Sequence, residues 1–337
     1  MTLEKFVNKL QPEIERELRS ALSYADIPGC EELHSMLNYH LGLEDDDVGS
    51  KARGKRIRPI LTLITTVAAG GSWKHALPAA VSIELVHNFS LIHDDIQDNS
   101  PYRRGRPTVW KKWGVPQAIN AGDTMLTLAH LSLLNLAKYR DEVTILKAVE
   151  ILQKTCLHLT QGQYLDIAYV HRDNLTEHAY WSMVEGKTAA LLSTCTKLGA
   201  LIANCDQDTI SAYRDFGHHL GLAFQAQDDL LGIWGDINLT GKSNASDLIS
   251  GKKSLPILYG ISQGGNFSRR WKRGVNSPEE IIYLTNQLEK EGARGYTQNA
   301  VKKWTAEALH SLAMAKPRGE AGEALQNFAN QLINRQV

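Results

Sequence analysis

The sequence has no excess of charge of either sign: 37 Lys and Arg balance 37 Asp and Glu. A chain of zero net charge has no global attraction for nucleic acid or an anionic membrane, so charge-driven recognition must be local. Cysteine is sparse. Cys30, Cys156, Cys195 and Cys205 are scattered without C-x-x-C spacing, which argues against a disulfide framework or a cysteine zinc site and fits a reducing compartment. No apolar run is long enough for a membrane span. The N-terminal stretch MTLEKFVNKLQPEIERELR carries charges throughout and lacks an apolar core, so no signal peptide is expected. Period-two alternation bounded by turn residues, the strand signal, is nearly absent. There is no internal repeat and no low-complexity segment. With 43% apolar residues the chain can bury a sizeable core, and disorder is excluded. The expectation is a globular protein of the cytoplasm.

What is present is helix. Apolar residues recur at helical spacing from Leu3 through Phe6, Leu10, Ile14 and Leu18. Further helices are expected over 56–69, 74–95, 117–138, 141–169, 177–203, 207–235, 278–291, 295–314 and 320–335. Gly70-Gly71-Ser72 ends the first of these. Helices of 20 to 28 residues are about 30–42 Å long, and joined by short loops they pack as an up-down bundle. The stretches 237–254 and 262–277 are rich in Gly, Ser and Asn but do not read as interdomain linkers. The expected fold class is all-α, a single-domain helical bundle over residues 1–337.

Two acidic clusters carry the chemistry. The 74–95 helix runs into Asp94-Asp95-Ile96-Gln97-Asp98. Asp94 and Asp98 are four apart and share one helix face, about 6 Å from each other. Carboxylates so placed repel one another at a helix end where the macrodipole also disfavours them. An oxygen-rich, sulfur-free cluster suits Mg²⁺, which binds through one or two carboxylates plus substrate phosphates. Alone, this motif reads equally well as a solvated acidic helix end. A second pair, Asp228-Asp229, closes another long helix 134 residues after the first. In an antiparallel bundle such ends can face each other across one mouth and hold several divalent cations against a polyanion.

Cations for that polyanion follow the same order. Lys55, Arg56 and Arg58 open the 56–69 helix, and Arg103, Arg104 and Arg106 follow the first acidic cluster. Lys187-Thr188 lies within 177–203, and Lys242, Lys252 and Lys253 follow the second cluster. Arg offers a planar fork for bidentate phosphate contacts and Lys a point charge. Singly, Arg56, Arg106 and Lys253 read as ordinary surface groups, and part of the Arg103-Arg104 signal reads as ion pairing with the aspartates.

In order, GKRIRP, then HNFSLIHDDIQD with RRGRPT four residues later, then GKTAAL, FQAQDDLLG and GKSNASDLISGKKSLP resemble the trans-isoprenyl diphosphate synthases, or polyprenyl synthetases. The resemblance runs from about residue 50 to 260. It implies an all-α bundle around a deep central cavity, a homodimer, and head-to-tail condensation of isopentenyl diphosphate with an allylic diphosphate. It implies about three Mg²⁺ per active site, acting on the leaving pyrophosphate. By the same resemblance Asp94, Asp98 and Asp228 ligate metal. Arg103, Lys187, Lys252 and Lys242 hold the allylic diphosphate, and Lys55, Arg58, His87 and Arg104 hold isopentenyl diphosphate without metal. Thr188 and Gln225 lie beside the reacting carbons. His87 stands two helical turns before Asp94, as in the family, whereas His93 reads as structural. One departure is Gly232, where many members place a third aspartate; this leaves open which carboxylates complete the second cluster, Asp229 and Asp236 included.

Two other readings share parts of the pattern. A terpene cyclase or head-to-head synthase needs no isopentenyl diphosphate site, so Lys55, Arg58, His87 and Arg104 argue against it. A non-catalytic subunit of a heteromeric prenyltransferase typically lacks one aspartate motif, and both are present. Product length is expected to depend on Phe89 and Ser90, about 6–7.5 Å below Asp94 along the helix. One ring, one small residue and no insertion between Asp95 and Asp98 resemble synthases that stop at the twenty-carbon geranylgeranyl diphosphate. A fifteen-carbon farnesyl product is the alternative, and Met125 or Leu126 on a neighbouring helix could also set the stop.

Overall fold

The computed structural model describes residues 3–44, 54–170, 172–235, 245–274 and 277–333. In chain order the helices are α1 (Leu3–Leu22), α2 (Glu31–Leu41), α3 (Ile57–Ala68) and α4 (Trp73–Gln97). A two-stranded hairpin follows, β1 (Tyr102–Arg103) and β2 (Arg106–Pro107), then α5 (Val109–Trp113), α6 (Val115–Leu134) and α7 (Glu142–Val170). Next come α8 (Glu177–Val184), a π turn at Glu185–Ala189, α9 (Ala190–Ile202) and α10 (Gln207–Trp234). The chain ends with α11 (Ser246–Ser250), α12 (Leu255–Ser262), α13 (Asn266–Trp271), α14 (Pro278–Lys290), α15 (Ala293–Met314) and α16 (Gly319–Ile333).

The chain divides into two compact units. One comprises Met1–Lys154, Thr194–Ser211 and Ala315–Leu325, the other Thr155–Ser193, Ala212–Met314 and Gln326–Val337. In the first, α4 is the central element. Every side chain from Ala76 to Val86 is buried, and a helix apolar all round belongs inside. It packs most extensively against α6 and next against α3. The stripe Leu10, Ile14, Leu18 and Leu22 of α1 is buried at the four-residue spacing of a helix face. The second unit is built around Tyr180, Met183, Val184, Leu222, Ala226, Leu230 and Leu255. A neighbouring cluster there joins Ile233, Leu248, Ile257, Phe267, Leu284 and Leu288.

The long helices fall where periodicity places them. The differences are short or bent elements. Helix α2 is absent from the sequence expectation; Asn38, Tyr39 and His40, all weak helix formers, blur its pattern. Helices α11 and α13 lie inside stretches read as loops and are too short to show a period. The expected 177–203 helix is interrupted by the π turn at 185–189. There α7 and the turn meet backbone to backbone: a Cβ on Gly162 would lie 2.2 Å from the Lys187 nitrogen, and one on Gly186 would lie 2.7 Å from the His158 carbonyl.

Three basic groups read as ordinary surface residues have structural partners instead. Lys253 Nζ donates to the carbonyls of Tyr169 and Val170 at 3.2 and 3.1 Å, closing the end of α7. Arg106 pairs with Glu44 at 2.6 Å and lies over the Tyr39 ring. Arg56 is buried at 2% exposure in a left-handed backbone conformation. It donates to Glu84 Oε1 at 2.7 Å and to the Leu41 carbonyl at 2.5 Å. Asn88 donates to the same Glu84 oxygen at 3.0 Å. This pair ties the segment before α3 to α4 and sets the direction in which α3 starts. Removing one partner of a buried pair leaves an uncompensated charge, so Glu84→Ala is expected to cost about 3–5 kcal/mol in urea unfolding, and Glu84→Gln less. A loss under about 1 kcal/mol, the size seen for exposed pairs, would contradict this anchoring role.

Candidate active site

In the first unit the acidic cluster caps α4. Asp98 is the C-cap, its N–H bonded to the Asp94 carbonyl at 2.8 Å. The three carboxylates differ in surroundings. Asp98 is exposed and Asp94 half-buried. Asp95 is 2% exposed and takes Arg103 Nε on both oxygens at 2.9 Å, with Arg103 Nη2 at 2.8 Å. Burial raises the Asp95 carboxyl above its ordinary range although Arg103 opposes the shift. The hairpin makes this contact. Its two loop residues, Arg104 and Gly105, have φ of +53° and +78°, the positive pair that matches the twist of a tight hairpin.

The same turn lays the Arg104 guanidinium on the Gly54 backbone, where a Cβ would lie 2.9 Å from Arg104 Cζ. Lys55, next along, is exposed. At the second residue of α3, Arg58 Nη1 reaches His87 Nε2 at 3.1 Å. Burial, followed by the charges of Arg58, Arg104 and Arg103, pushes His87 well below 6.5. A neutral imidazole accepts from Arg58. His40 is held neutral in the same way, by burial and then by Arg104, Arg103 and Arg56. The structure thus brings Arg58, His87 and Arg104 of the expected isopentenyl diphosphate set into one positive region. Arg58 Nε is buried with no partner among the described residues. Phe89 and Ser90 lie half-buried on α4. The Phe89 ring meets His93 edge-on at 5.2 Å, and Ser90 Oγ donates to the His87 carbonyl.

In the second unit the π turn presents Lys187 and Thr188. Lys187 Nζ donates to Asp166 Oδ2 at 2.5 Å. Burial alone would raise the Asp166 carboxyl, but Lys252 and Lys187 outweigh it and hold the group below the usual range. Thr188 Oγ1 donates to Gln225 Oε1 at 2.7 Å, and Gln225 Nε2 donates to Asp229 Oδ1 at 2.8 Å. Asp229 is 2% exposed and also accepts from Tyr180 Oη at 2.6 Å and the Leu255 N–H at 2.8 Å. Burial, opposed by Lys252 and reinforced by Asp247, pushes its carboxyl up to about 6. Asp228 is half-buried. Burial would lower the Lys252 ammonium, but Asp166, Asp229, Asp247 and Asp228 overcome it and raise its pKa. Lys242 and Asp236 lie outside the described residues.

Glu84, Asp166, Tyr180 and Asp247 stand outside the sequence-predicted set. Glu84 and Asp166 offered one signal: each is a carboxylate alone on a stretch otherwise free of formal charge, over 76–92 and 159–170. Tyr180 offered none.

The donors suit Mg²⁺. Asp94, Asp98 and Asp228 supply oxygen only, the donor type Mg²⁺ takes. Among the described residues no three carboxylate, histidine or cysteine groups converge as a ready-made metal cage.

The fold is the all-α isoprenoid synthase fold. The chain belongs to the polyprenyl synthetase family, whose model matches residues 47–286. It is 37% identical over 316 residues to the (2E,6E)-farnesyl diphosphate synthase of Mycobacterium bovis, covering 90% of this chain and 87% of that protein. It is 44% identical over 234 residues to the geranylgeranyl diphosphate synthase of Mycobacterium tuberculosis, covering 69% and 66%. A crystal structure of geranylgeranyl pyrophosphate synthase from Corynebacterium glutamicum, complexed with isoprenyl diphosphate and magnesium, is similar with a TM-score of 0.86. That match has 26% identity and covers all of both chains.

Proposed function

We propose that this protein joins isopentenyl diphosphate head to tail to an allylic diphosphate, giving a short-chain all-trans prenyl diphosphate and pyrophosphate. The observation that carries the reading is the positive region of Arg58, His87 and Arg104. Its neighbouring carboxylates, Glu84 and Asp95, are already held by Arg56 and Arg103. The buried Arg58 Nε–H has no acceptor among the described residues, and a diphosphate oxygen supplies one. A metal-free diphosphate site of this kind is what a condensing enzyme needs and a cyclase does not.

Lys55, Arg58, His87 and Arg104 bind isopentenyl diphosphate. Arg103, Lys187 and Lys252 bind the allylic diphosphate, as does Lys242. Asp94 and Asp98 in the first unit, and Asp228 in the second, hold Mg²⁺. When bound, about three Mg²⁺ per active site stabilise the charge that develops on the departing pyrophosphate. The allylic C–O bond breaks and its electron pair leaves with pyrophosphate. The double bond of isopentenyl diphosphate then attacks the allylic cation, and a proton passes from the new chain to pyrophosphate. Thr188 and Gln225 turn oxygens towards the cation, and Asp229 fixes Gln225 in that orientation.

The product is geranylgeranyl diphosphate, with Phe89 as the floor. Its edge contact with His93 keeps the ring in one orientation on α4. The active form is a homodimer in the cytoplasm, and the exposed side chains Val115, Ile119, Leu131 and Leu134 of α6 give a second copy an apolar surface.

Four measurements follow. Incubation with Mg²⁺, an allylic diphosphate and labelled isopentenyl diphosphate is expected to move label into a prenyl diphosphate. Arg104→Ala should raise KM for isopentenyl diphosphate while sparing that for the allylic partner. Pyrophosphate release without label incorporation would identify a cyclase and overturn the reading. Chromatography of dephosphorylated products should show Phe89→Ala lengthening the product by at least one five-carbon unit, and an unshifted distribution removes Phe89 as the floor. Light scattering should give twice the chain mass, which Leu131→Asp reduces; a monomeric parent protein contradicts the dimer.

A further inference from the structure

Three arginines crowd one small hairpin. β1 and β2 have two residues each, and their register sets Arg103 directly opposite Arg106. Like charges so placed destabilise a strand pair, and a two-stranded hairpin alone is marginal in water. Arg104, in the turn, has φ of +53°. A residue other than glycine is strained there and keeps that backbone only where its surroundings over-determine it. The hairpin therefore holds its shape, and carries Arg104 to Gly54, through contacts supplied from outside it.

On β1 the contact comes from Asp95 of α4, which takes Arg103. On β2 it comes from α2. Tyr39, 8% exposed near the end of that helix, meets the strand in three ways. Its Oη donates to the Pro107 carbonyl at 2.8 Å. Its ring faces the Arg106 guanidinium, with Cζ 3.8 Å from the ring centroid, where the ring quadrupole attracts a cation. Its own carbonyl accepts from Arg106 Nη1 at 3.4 Å. Glu44, just past α2, pairs with Arg106 Nη2 at 2.6 Å. The ring is fixed in turn by α5: Trp113 meets it edge-on at 5.1 Å, and Lys112 Nζ lies 4.3 Å from its centroid. Tyr39 thus grips both β2 and the helix that follows it.

We propose that Tyr39 is a positioning residue for isopentenyl diphosphate: it holds β2 so that the turn presents Arg104 to the diphosphate, and it does not itself touch substrate. The proposal rests on the prenyl diphosphate synthase reading, in which Arg104 binds isopentenyl diphosphate. Arg103 has its own anchor in Asp95 on α4, so binding of the allylic partner depends far less on Tyr39.

Steady-state kinetics of Tyr39→Phe and Tyr39→Leu, each in the wild-type and the Arg104→Ala background, form a double-mutant cycle that tests it. Tyr39→Phe keeps the ring and loses the bond to Pro107. It is expected to raise KM for isopentenyl diphosphate about 3–10-fold, the size of one hydrogen bond. Tyr39→Leu removes the ring as well and should raise that KM further. KM for the allylic partner should change by less than about 2-fold. In the Arg104→Ala background neither substitution should shift the isopentenyl diphosphate KM by more than about 2-fold, because the group being positioned is gone. A Tyr39 that served stability alone would lower the melting temperature and either leave KM unchanged or multiply it equally in both backgrounds. Either result overturns the proposal. Should Tyr39→Leu fail to fold, the Tyr39→Phe arm completes the cycle by itself. If the wild-type protein incorporates no isopentenyl diphosphate, or Arg104→Ala leaves its KM unchanged, the functional reading falls and the proposal with it. If Arg104→Ala behaves as expected and the cycle is additive, only Tyr39 falls.

Discussion

Paired aspartates near helix ends repel each other and the helix dipole, and this constraint organises both units of the protein. Each pair meets it by dividing the work. The second member is buried and fully engaged: Asp95 by the Arg103 fork, Asp229 by Tyr180, Gln225 and the Leu255 N–H. The first member, Asp94 or Asp228, is left half-buried. One carboxylate of each pair thus fixes neighbouring groups, and the other keeps the partial exposure that its proposed role as a metal ligand requires.

The buried members also set the geometry of the groups proposed to meet substrate. Asp95 draws the hairpin onto the end of α4, and the hairpin carries Arg104 to Gly54. Asp229 holds Gln225, and Gln225 accepts from Thr188 on the π turn. Close approach of Gly162 to the π turn sets that turn against α7, whose Asp166 meets Lys187. Charged groups proposed to face a diphosphate are positioned by carboxylates outside that proposed set.

Much of this was legible in the sequence. Helices of twenty residues or more carry enough turns for periodicity to register, and five motifs in one order marked the chemistry. The division of labour within each Asp-Asp pair was not legible, because neighbours in sequence point to different faces of a helix and only tertiary packing decides which face is buried. The same limit explains Arg56, whose charge suggested solvent and whose partner Glu84 lies 28 residues away. The π turn needed the encounter of two glycines 24 residues apart in sequence, and the short helix α11 carried too few residues to announce itself. The absence of a carboxylate at Gly232 was plain, whereas its neighbour Asp247 became visible only in three dimensions.

The central claim is that the two aspartates of a pair have different work, and thermal melting of Asp228→Asn and Asp229→Asn, with and without Mg²⁺ plus inorganic pyrophosphate, tests it most directly. Ligands that bind only the folded state raise its melting temperature. Asp228→Asn should melt with the wild-type protein when no ligand is present and lose most of the ligand-induced rise. Asp229→Asn should already melt lower without ligand, because Tyr180 and the Leu255 N–H lose a charged acceptor. Equal melting of Asp229→Asn and wild type without ligand, or a full ligand-induced rise in Asp228→Asn, would contradict the account.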